Sequence, residues 1–281
     1  MKPPKVSVII PCFNEQDTIT DCLQSLGQQS LRPLEIIVID DGSTDQTVRK
    51  VNRFISNKTI KLYQQSHLGP GAARNLGASK SRGDILVFVD ADMTFDHHFI
   101  AKLIAPINPS IIGTFTKAEL VSNSANPWAA SWSLLRGFKS GRMHPDNYPD
   151  HQPVFRAITK AAFQKAGGFT TNQGYDDDWS LSEKLGVQAV VAPGAIIYHT
   201  NPSSLSEIFA QSRWMAKRRY KFGLLGTLFA LLRASLPISL FLALIVSVKH
   251  TNTYLFPAKL TSDFGIFIGI LHLLFTRSTA K

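Results

Sequence analysis

The segment Gly83 to Met93, GDILVFVDADM, constrains the fold more than any other part of the sequence. Its apolar run, Ile85 to Val89, is typical of a strand buried on both faces, as in a parallel sheet covered by helices. Asp90 and Asp92 follow that run. Open α/β sheets bind ligands at the carboxyl ends of their strands, and carboxylates suit Mg²⁺ or Mn²⁺. The segment indicates either a metal site for a phosphorylated ligand or a solvated acidic turn.

Similar strand and helix patterns precede this segment. The predicted strands are 6–10, 36–39 and 60–63, and the predicted helices are 16–26, 47–55 and 71–79. Alternating strands and helices with short connections predict an α/β fold with a mostly parallel sheet. The first strand is followed by PCFNE and not by GxGxxG, which argues against an oxidoreductase of the Rossmann type. Residues 123–151 read as a long irregular excursion on the side of the active site.

A basic amphipathic helix is predicted from Ser204 onward. Apolar side chains share one face, while Arg213, Lys217, Arg218 and Lys221 lie elsewhere, a pattern that fits a helix on a membrane surface. A cluster that includes Arg219 would also favour an anionic leaflet.

Two apolar segments follow this helix. The first, Leu224 to Val248, carries only Arg233 as a charge, and its apolar residues outweigh the cost of that arginine in a bilayer. The second, Phe264 to Phe275, is shorter than the roughly 20 residues that cross a membrane, unless Tyr254 to Asp263 joins it. The sequence predicts membrane attachment through a hairpin or spans; the alternative is a pair of buried helices in a soluble domain.

The chain is basic, with 30 Lys and Arg against 20 Asp and Glu. The positive charge indicates an anionic partner, and a nucleotide or a membrane fits better than nucleic acid. Nucleic-acid binding is not expected because the basic residues lack an interleaved aromatic platform. Cys12 and Cys22 have no zinc spacing, and the N-terminus lacks a signal layout. We therefore expect a cytoplasmic catalytic domain at the cell (inner) membrane.

Four motifs occur in sequence order: PCFNE after the first strand, DDGSTD after the second, then GPGAARN and GDILVFVDAD. Together they resemble the family 2 glycosyltransferases over roughly residues 6–200. The resemblance implies the GT-A fold and inverting transfer of a sugar from a UDP- or GDP-linked donor, with Mg²⁺ or Mn²⁺. The acceptor would be a glycan or a lipid-linked molecule of the cell envelope. The expected domains are a catalytic domain (1–203), an interfacial helix (204–222) and a hydrophobic hairpin with its tail (223–281).

The resemblance assigns residues to the donor. Pro11, Glu15 and Asp41 would surround the nucleoside, and Arg74 would lie near the donor. Asp90 would contact the ribose or a metal-bound water. Asp92 and His199 would bind the metal. A divalent ion is needed because the leaving nucleoside diphosphate gains negative charge. The alternative for His199 is a strand-end histidine that faces solvent.

On the acceptor side, GGFTTNQGYDDDW is similar to the family's GGF, Glu-Asp and Trp pattern. A hydroxyl acceptor needs a base, and the resemblance places Asp178 in that role with Asp177 beside it, although the register within 176–178 stays open. The alternative is that these aspartates cap a helix. The candidate acceptor or interface residues are Trp179, Arg213 and Trp214. Arg213 and Trp214 belong to QSRW, which is one residue shorter than the QxxRW motif of processive synthases.

Two rival functions remain open. A transferase that charges a polyprenyl phosphate would need little help from a base, because its acceptor is already ionised. A catalytically silent scaffold that binds nucleotide sugars at a membrane is the alternative from another class. The two aspartates of GDILVFVDAD and the later acidic pair favour the enzyme.

Overall fold

The computed structural model describes residues 4–56, 58–139, 141–145, 147–171, 174–217 and 220–276, without the side chains of 174–176. Arg218 and Arg219, predicted to favour an anionic leaflet, lie outside the described residues, as does the side chain of Asp176. The chain forms two compact units. Unit 1 consists of Met1–Leu120, Asp146–Asn172 and Asp177–His199, and unit 2 of Val121–Pro145, Gln173–Asp176 and Thr200–Lys281.

Eleven strands lie within the described ranges. They are β1 (Val6–Cys12), β2 (Glu35–Asp40), β3 (Ile60–Gln64), β4 (Ile85–Phe88), β5 (Met93–Phe95), β6 (Gly113–Phe115), β7 (Ala118–Val121), β8 (His151–Gln152), β9 (Ala157–Thr159), β10 (Ala189–Val191) and β11 (Ile196–His199).

The same ranges contain eleven α-helices and one 3₁₀ helix, Gly174–Trp179. The helices are α1 (Ile19–Gly27), α2 (Thr47–Asn52), α3 (Pro70–Lys80), α4 (Phe99–Ile104), α5 (Pro127–Leu135), α6 (Lys160–Lys165), α7 (Ser180–Leu185), α8 (Leu205–Met215), α9 (Gly223–Arg233), α10 (Leu236–His250) and α11 (Leu255–Thr276).

The main sheet has the strand order β3-β2-β1-β4-β9-β6-β10-β8, and a smaller sheet has the order β5-β11-β7. The first four strands of the main sheet pair in parallel, so the carboxyl ends of β1, β2 and β4 share one edge. Strand β9 runs antiparallel between β4 and β6. The predicted α/β class with a parallel-rich sheet is confirmed, and the antiparallel insertion is an addition to it.

Both faces of the main sheet are buried, as the apolar strands predict. On one face Val8 and Val87 pack with α1, α2 and α4, and on the other Ile9 and Phe88 pack with α6 and α7. Every residue of β1, β2 and β4 is buried. This closed core makes the carboxyl edge a rigid support for the loops that follow these strands.

Glu35, at the start of β2, is a fully buried carboxylate. It accepts hydrogen bonds from Ser7 Oγ at 2.8 Å, from Lys61 Nζ at 2.7 Å and from the Arg82 amide at 2.6 Å. Burial alone would raise the pKa of Glu35, but these donors outweigh it and lower the pKa from 4.5 to about 2. The ionised carboxylate therefore joins β1, β2 and β3 with the segment before β4.

We expect Glu35→Gln to lower the free energy of unfolding by about 3 to 4 kcal/mol at pH 7, since each pKa unit is worth about 1.4 kcal/mol. Because the folded-state pKa is lowered, the contribution is complete above the ordinary pKa of 4.5 and is lost as pH falls toward about 2. Urea unfolding across this range measures it, with the exposed Glu183→Gln as control. Equal stability losses at pH 7 and near pH 2 would contradict this role.

In unit 2, α8 lies directly against α11. A Cβ atom on Gly265 would lie 2.7 Å from the carbonyl oxygen of Phe209, and one on Gly269 would overlap the carbonyl oxygen of Arg213. Glycines spaced four residues apart thus let the two backbones approach closely. The predicted amphipathic helix is therefore a packed part of unit 2, with Ile208 and Ser212 buried.

Gly269→Ala should force α8 away from α11. The added methyl group meets backbone, which cannot rotate aside, so we expect a loss of about 1 to 3 kcal/mol in stability. Thermal unfolding of the full chain measures the effect. The control is Gly27→Ala, because a Cβ atom there has no neighbour within 4 Å. An unchanged melting temperature for Gly269→Ala would mean that the helices do not pack this closely.

The first apolar segment differs from its prediction, and the second is extended in the way that the sequence allowed. The stretch 224–248 is two helices, α9 and α10, bent by 67°, because Ser235 and Pro237 begin a new helix there. Residues 255–263 and 264–275 join in one helix, α11. Within the described residues α11 alone is long and apolar enough to cross a membrane, and the α9–α10 pair passes only when taken together. Core helices of soluble proteins have similar length and composition.

Candidate active site

The motifs PCFNE and DDGSTD begin in the last residues of β1 and β2 and continue into the following loops, which bind each other. The Asn14 amide donates to Ser43 Oγ at 2.9 Å, and Asn14 Oδ1 accepts from the Thr44 amide at 2.9 Å. The Gln16 amide donates to Asp45 Oδ2 at 3.1 Å. Asn14 has a φ of +55°, which asparagine tolerates better than most residues. The two motifs therefore form one loop assembly at the carboxyl edge of the sheet.

Asp41 anchors a third loop, residues 65–69, to this assembly. Its Oδ1 accepts from Gln65 Nε2 at 2.6 Å and from the Leu68 amide at 2.9 Å. Its Oδ2 accepts from the Gly69 amide and pairs with His67 Nδ1, both at 2.9 Å. These groups use the roughly four acceptor positions of a carboxylate. The predicted bond from Asp41 to a base N–H stays a prediction, and it requires one of these partners to leave.

Arg74, on α3, connects two predicted site residues. Its side chain is 7% exposed; Nη1 donates to Asp178 Oδ1 at 2.5 Å and Nη2 to Asp90 Oδ1 at 2.9 Å. Asp178 lies in the 3₁₀ helix before α7, and Asp90 follows the strand β4 closely. The structure thus brings the predicted base and a predicted donor-binding residue together around one guanidinium group.

Arg156, immediately before β9, holds the other oxygen of Asp90. Its Nη1 donates to Asp90 Oδ2 at 3.0 Å, and its Nη2 lies 3.5 Å from Glu119 Oε1. Burial alone would raise the pKa of Asp90, but Arg156 and Arg74 outweigh it and hold the pKa well below its usual range. Neither Arg156 nor Glu119 was among the predicted site residues. A single arginine within the apolar stretch PVFRAI was the available signal.

The neighbouring aspartates Asp177 and Asp178 have different surroundings. Asp177 is 3% exposed, and its Oδ2 accepts from the Gly71 amide at 3.2 Å, at the N-terminus of α3. A carboxylate there is favoured by the free amides and the dipole of the helix. Asp178 keeps a third of its side chain exposed. Of the two, Asp178 has the access to solvent that a reacting group requires.

Asp92 and His199 form a pair, with 3.3 Å between Asp92 Oδ2 and His199 Nε2. The antiparallel pairing of β5 with β11 sets His199 opposite Met93, the residue after Asp92. Burial would lower the pKa of His199, but the Asp92 carboxylate outweighs it and raises the pKa to about 9. Carboxylate and neutral imidazole are both common ligands of divalent metals, so His199 would have to lose its proton to bind one.

This pair fits a divalent ion that also binds a diphosphate. In the part of the chain that the structure describes, no three His, Cys, Asp or Glu side chains gather to hold a metal by themselves. Protein sites for Mg²⁺ commonly use one or two carboxylates, with phosphate oxygens and water as the other ligands. A short protein ligand set is therefore compatible with the chemistry of a metal that arrives with its nucleotide.

The remaining predicted residues are placed as follows. Pro11 is buried near the end of β1, and Glu15 begins the turn before α1, where its amide donates to Thr47 Oγ1 at 2.8 Å. Trp179 is 47% exposed beside Asp178. In unit 2, Arg213 is exposed and Trp214 is half-buried near the end of α8. The roles assigned to these residues stay predictions.

The model of glycosyl transferase family 2 matches residues 7–167, more than half of the 281 residues. The chain therefore belongs to glycosyl transferase family 2. An uncharacterised glycosyltransferase of Haemophilus influenzae is 28% identical over 212 residues, covering 72% of this chain and 71% of that protein. Three other curated relatives are aligned over 38%, 26% and 14% of their own lengths, so this chain matches less than half of each.

Two solved structures share the fold. A mannosyltransferase from Pyrobaculum calidifontis, in complex with GDP-Man and Mn²⁺, has a TM-score of 0.62 at 18% identity, covering 99% of this chain and 89% of its own. Residues 1–349 of TarS from S. aureus, in complex with UDP, have a TM-score of 0.55 at 21% identity, covering 75% and 64%. The predicted family, the GT-A fold and the assignment to glycosyltransferase enzymes are confirmed.

Proposed function

We propose that this chain transfers a sugar from a nucleoside-diphosphate donor to a hydroxyl acceptor, with inversion at the anomeric carbon. The observation that carries the proposal is the position of Arg74, whose guanidinium group binds both Asp90 and Asp178. Arg74 would therefore orient both Asp90, which would bind the donor, and Asp178, which would take a proton from the acceptor. The related structures with UDP and with GDP-Man add weight to a nucleotide-sugar donor.

On the donor side, Arg74 would hold Asp90 toward the donor. The Arg74 side chain is 7% exposed, so its pairing with Asp90 is little screened by water. The loop assembly around Asp41 would border the nucleoside, and Phe13, stacked on His67 at 4.1 Å, offers it an aromatic surface. Donor recognition would therefore combine Asp90, held by Arg74, with an ordered loop.

Asp92 and His199 are the residues that would hold Mg²⁺ or Mn²⁺. When bound, the ion would offset the negative charge that develops on the leaving diphosphate. A cation would also compete with the contact between Asp92 and His199, so we expect the two side chains to separate when they bind it.

On the acceptor side, Asp178 would accept the proton of the attacking hydroxyl. Inversion requires the attack from the face opposite the leaving group, and a base on that face removes the proton as the new bond forms. One oxygen of Asp178 is held by Arg74, which orients the carboxylate and leaves its other oxygen for the acceptor. This arrangement favours a hydroxyl acceptor over a polyprenyl phosphate, which needs little base assistance.

A thermal-shift screen tests the donor. A ligand that binds only the folded chain raises the melting temperature of the chain. The increase grows with the ratio of the ligand concentration to its Kd. We expect a UDP- or GDP-linked sugar to raise the melting temperature in the presence of Mn²⁺ and to raise it less with EDTA. Sugar-free ADP and CMP serve as controls. Equal shifts with every nucleotide, or no shift with any, would contradict the proposal.

We also propose that unit 2 binds the cytoplasmic face of the cell membrane. Large apolar side chains on α9 and α10 are mostly exposed, among them Leu225 at 74% and Phe229 at 68%. An exposed apolar surface of this kind marks an interaction site. The exposed cations Arg213 and Lys221 suit an anionic lipid surface. This supports a lipid bilayer as the partner.

Vesicle flotation tests this attachment. We expect the chain to float with vesicles that contain phosphatidylglycerol. The double variant Leu225→Glu with Phe229→Glu should float less, because transfer of charged side chains into lipid is unfavourable. The control carries Ile55→Glu with Val187→Glu, changes of the same type at exposed apolar sites in unit 1. Equal flotation of both variants would place the lipid contact elsewhere.

A further inference from the structure

Arg156 is held in place by the sheet and not by a loop. Its amide donates to the carbonyl of Thr114 in β6, and its carbonyl accepts from the amide of Phe88 in β4, both at 2.9 Å. Phe88 lies two residues before Asp90. The backbone of Arg156 is therefore fixed between two strands, close to the point where β4 delivers its aspartates.

The side chains of Arg74 and Arg156 bind Asp90 from both sides, an arrangement that we call the two-arginine grip. Arg74 Nη2 lies 2.9 Å from Asp90 Oδ1, and Arg156 Nη1 lies 3.0 Å from Asp90 Oδ2. Glu119, 12% exposed, lies on the far side of Arg156 and balances part of its charge. Each oxygen of the carboxylate thus has its own guanidinium group.

The two-arginine grip has a physical consequence for Asp90. The terminal torsion of an aspartate is broad, so a carboxylate held on one side only can turn. Two planar guanidinium groups fix the rotation of the carboxylate. We propose that Arg156 is a positioning residue, which orients Asp90 for the nucleoside-diphosphate donor and acts through it. This inference rests on the proposed function, because the donor is what Asp90 would contact.

Calorimetry with UDP and GDP, each with Mn²⁺, tests the inference on the full chain. We expect Arg156→Met to weaken binding about 10- to 100-fold, by analogy with the range found for residues that orient metal ligands. Arg156→Lys keeps the charge without the planar fork and should fall between Arg156→Met and the wild type. Asp90→Asn with Arg156→Met should bind no more weakly than Asp90→Asn alone. The exposed Arg53→Met is the matched control.

Wild-type binding by Arg156→Met would overturn the inference, as would wild-type binding by Arg156→Lys, which would mean that charge alone suffices. Additive losses in the double variant would also overturn it, because Arg156 would then act apart from Asp90. If Arg156→Met fails to fold, Arg156→Lys carries the same comparison with Asp90→Asn.

A second readout separates this inference from the proposed function. If the wild-type chain binds neither UDP nor GDP with Mn²⁺, the proposed function fails. Thermal unfolding of the wild type, the two single variants and the double variant then decides whether the two-arginine grip exists. A smaller loss in the double variant than the sum of the single losses supports the contact, since contacting residues couple. Additive losses reject it.

Discussion

Asp178→Asn should reduce the rate of sugar transfer about 10²- to 10⁴-fold while leaving donor affinity within a fewfold of the wild type. Asparagine keeps the size of the side chain, and its carbonyl oxygen can still accept from Arg74, which lies 2.5 Å from Asp178 in the structure. What it loses is the ability to take a proton. Initial rates at saturating donor, together with calorimetric donor binding, measure the two effects separately.

Asp177→Asn provides the matched comparison for Asp178. The Asp177 carboxylate accepts from the Gly71 amide at the start of α3, so its loss should reduce stability more than chemistry. Asp150→Asn, at a site two-thirds exposed, controls for the loss of a surface charge. Full activity of Asp178→Asn would contradict its role as base and would favour an acceptor that is already ionised.

Asp92→Asn should abolish most of the stimulation by Mn²⁺. A metal that neutralises a leaving diphosphate stabilises the transition state by several kcal/mol. We therefore expect a rate loss of about 10³-fold. Titration of Mn²⁺ into the chain with UDP should show a matching loss of metal affinity. His199→Ala should also reduce the stimulation by Mn²⁺, because His199, 3.3 Å from Asp92, would be the second protein ligand of the ion.

The control for Asp92 is Asp96→Asn. Asp96 lies just after β5, at the other end of that strand from the His199 contact, and accepts from the His98 amide at 2.9 Å. Its substitution should leave the Mn²⁺ response unchanged. If Asp92→Asn keeps the wild-type response to Mn²⁺ and to EDTA, then Asp92 does not hold the metal.

The positions of the residues at the strand ends were predictable because they depend on local pattern and on one topological rule. Apolar strands followed by polar motifs predict β1, β2 and β4, and parallel pairing then gathers the ends of these strands. Arg74 could be found from the glycine turn that precedes it. The positions of Asp90 and Arg74 follow from these elements, and the structure joins the two residues at 2.9 Å.

Arg156 and Glu119 were not predicted because their place depends on distant pairing. Strand β9 enters antiparallel between β4 and β6, and no local pattern in three residues indicates that partner. Two other misses had readable signals. Asn126 followed by Pro127 is a cap and first turn that begins α5, and Ser235 with Pro237 separates α10 from α9.

The central claim is that this chain cleaves a nucleotide sugar and transfers its sugar. The most direct test measures free UDP or GDP released from a panel of nucleotide sugars, with Mn²⁺ and with EDTA. We expect release from one group of donors, dependent on Mn²⁺ and strongly reduced in Asp92→Asn. Tight nucleotide binding without release from any donor would contradict the account and would identify a catalytically silent scaffold.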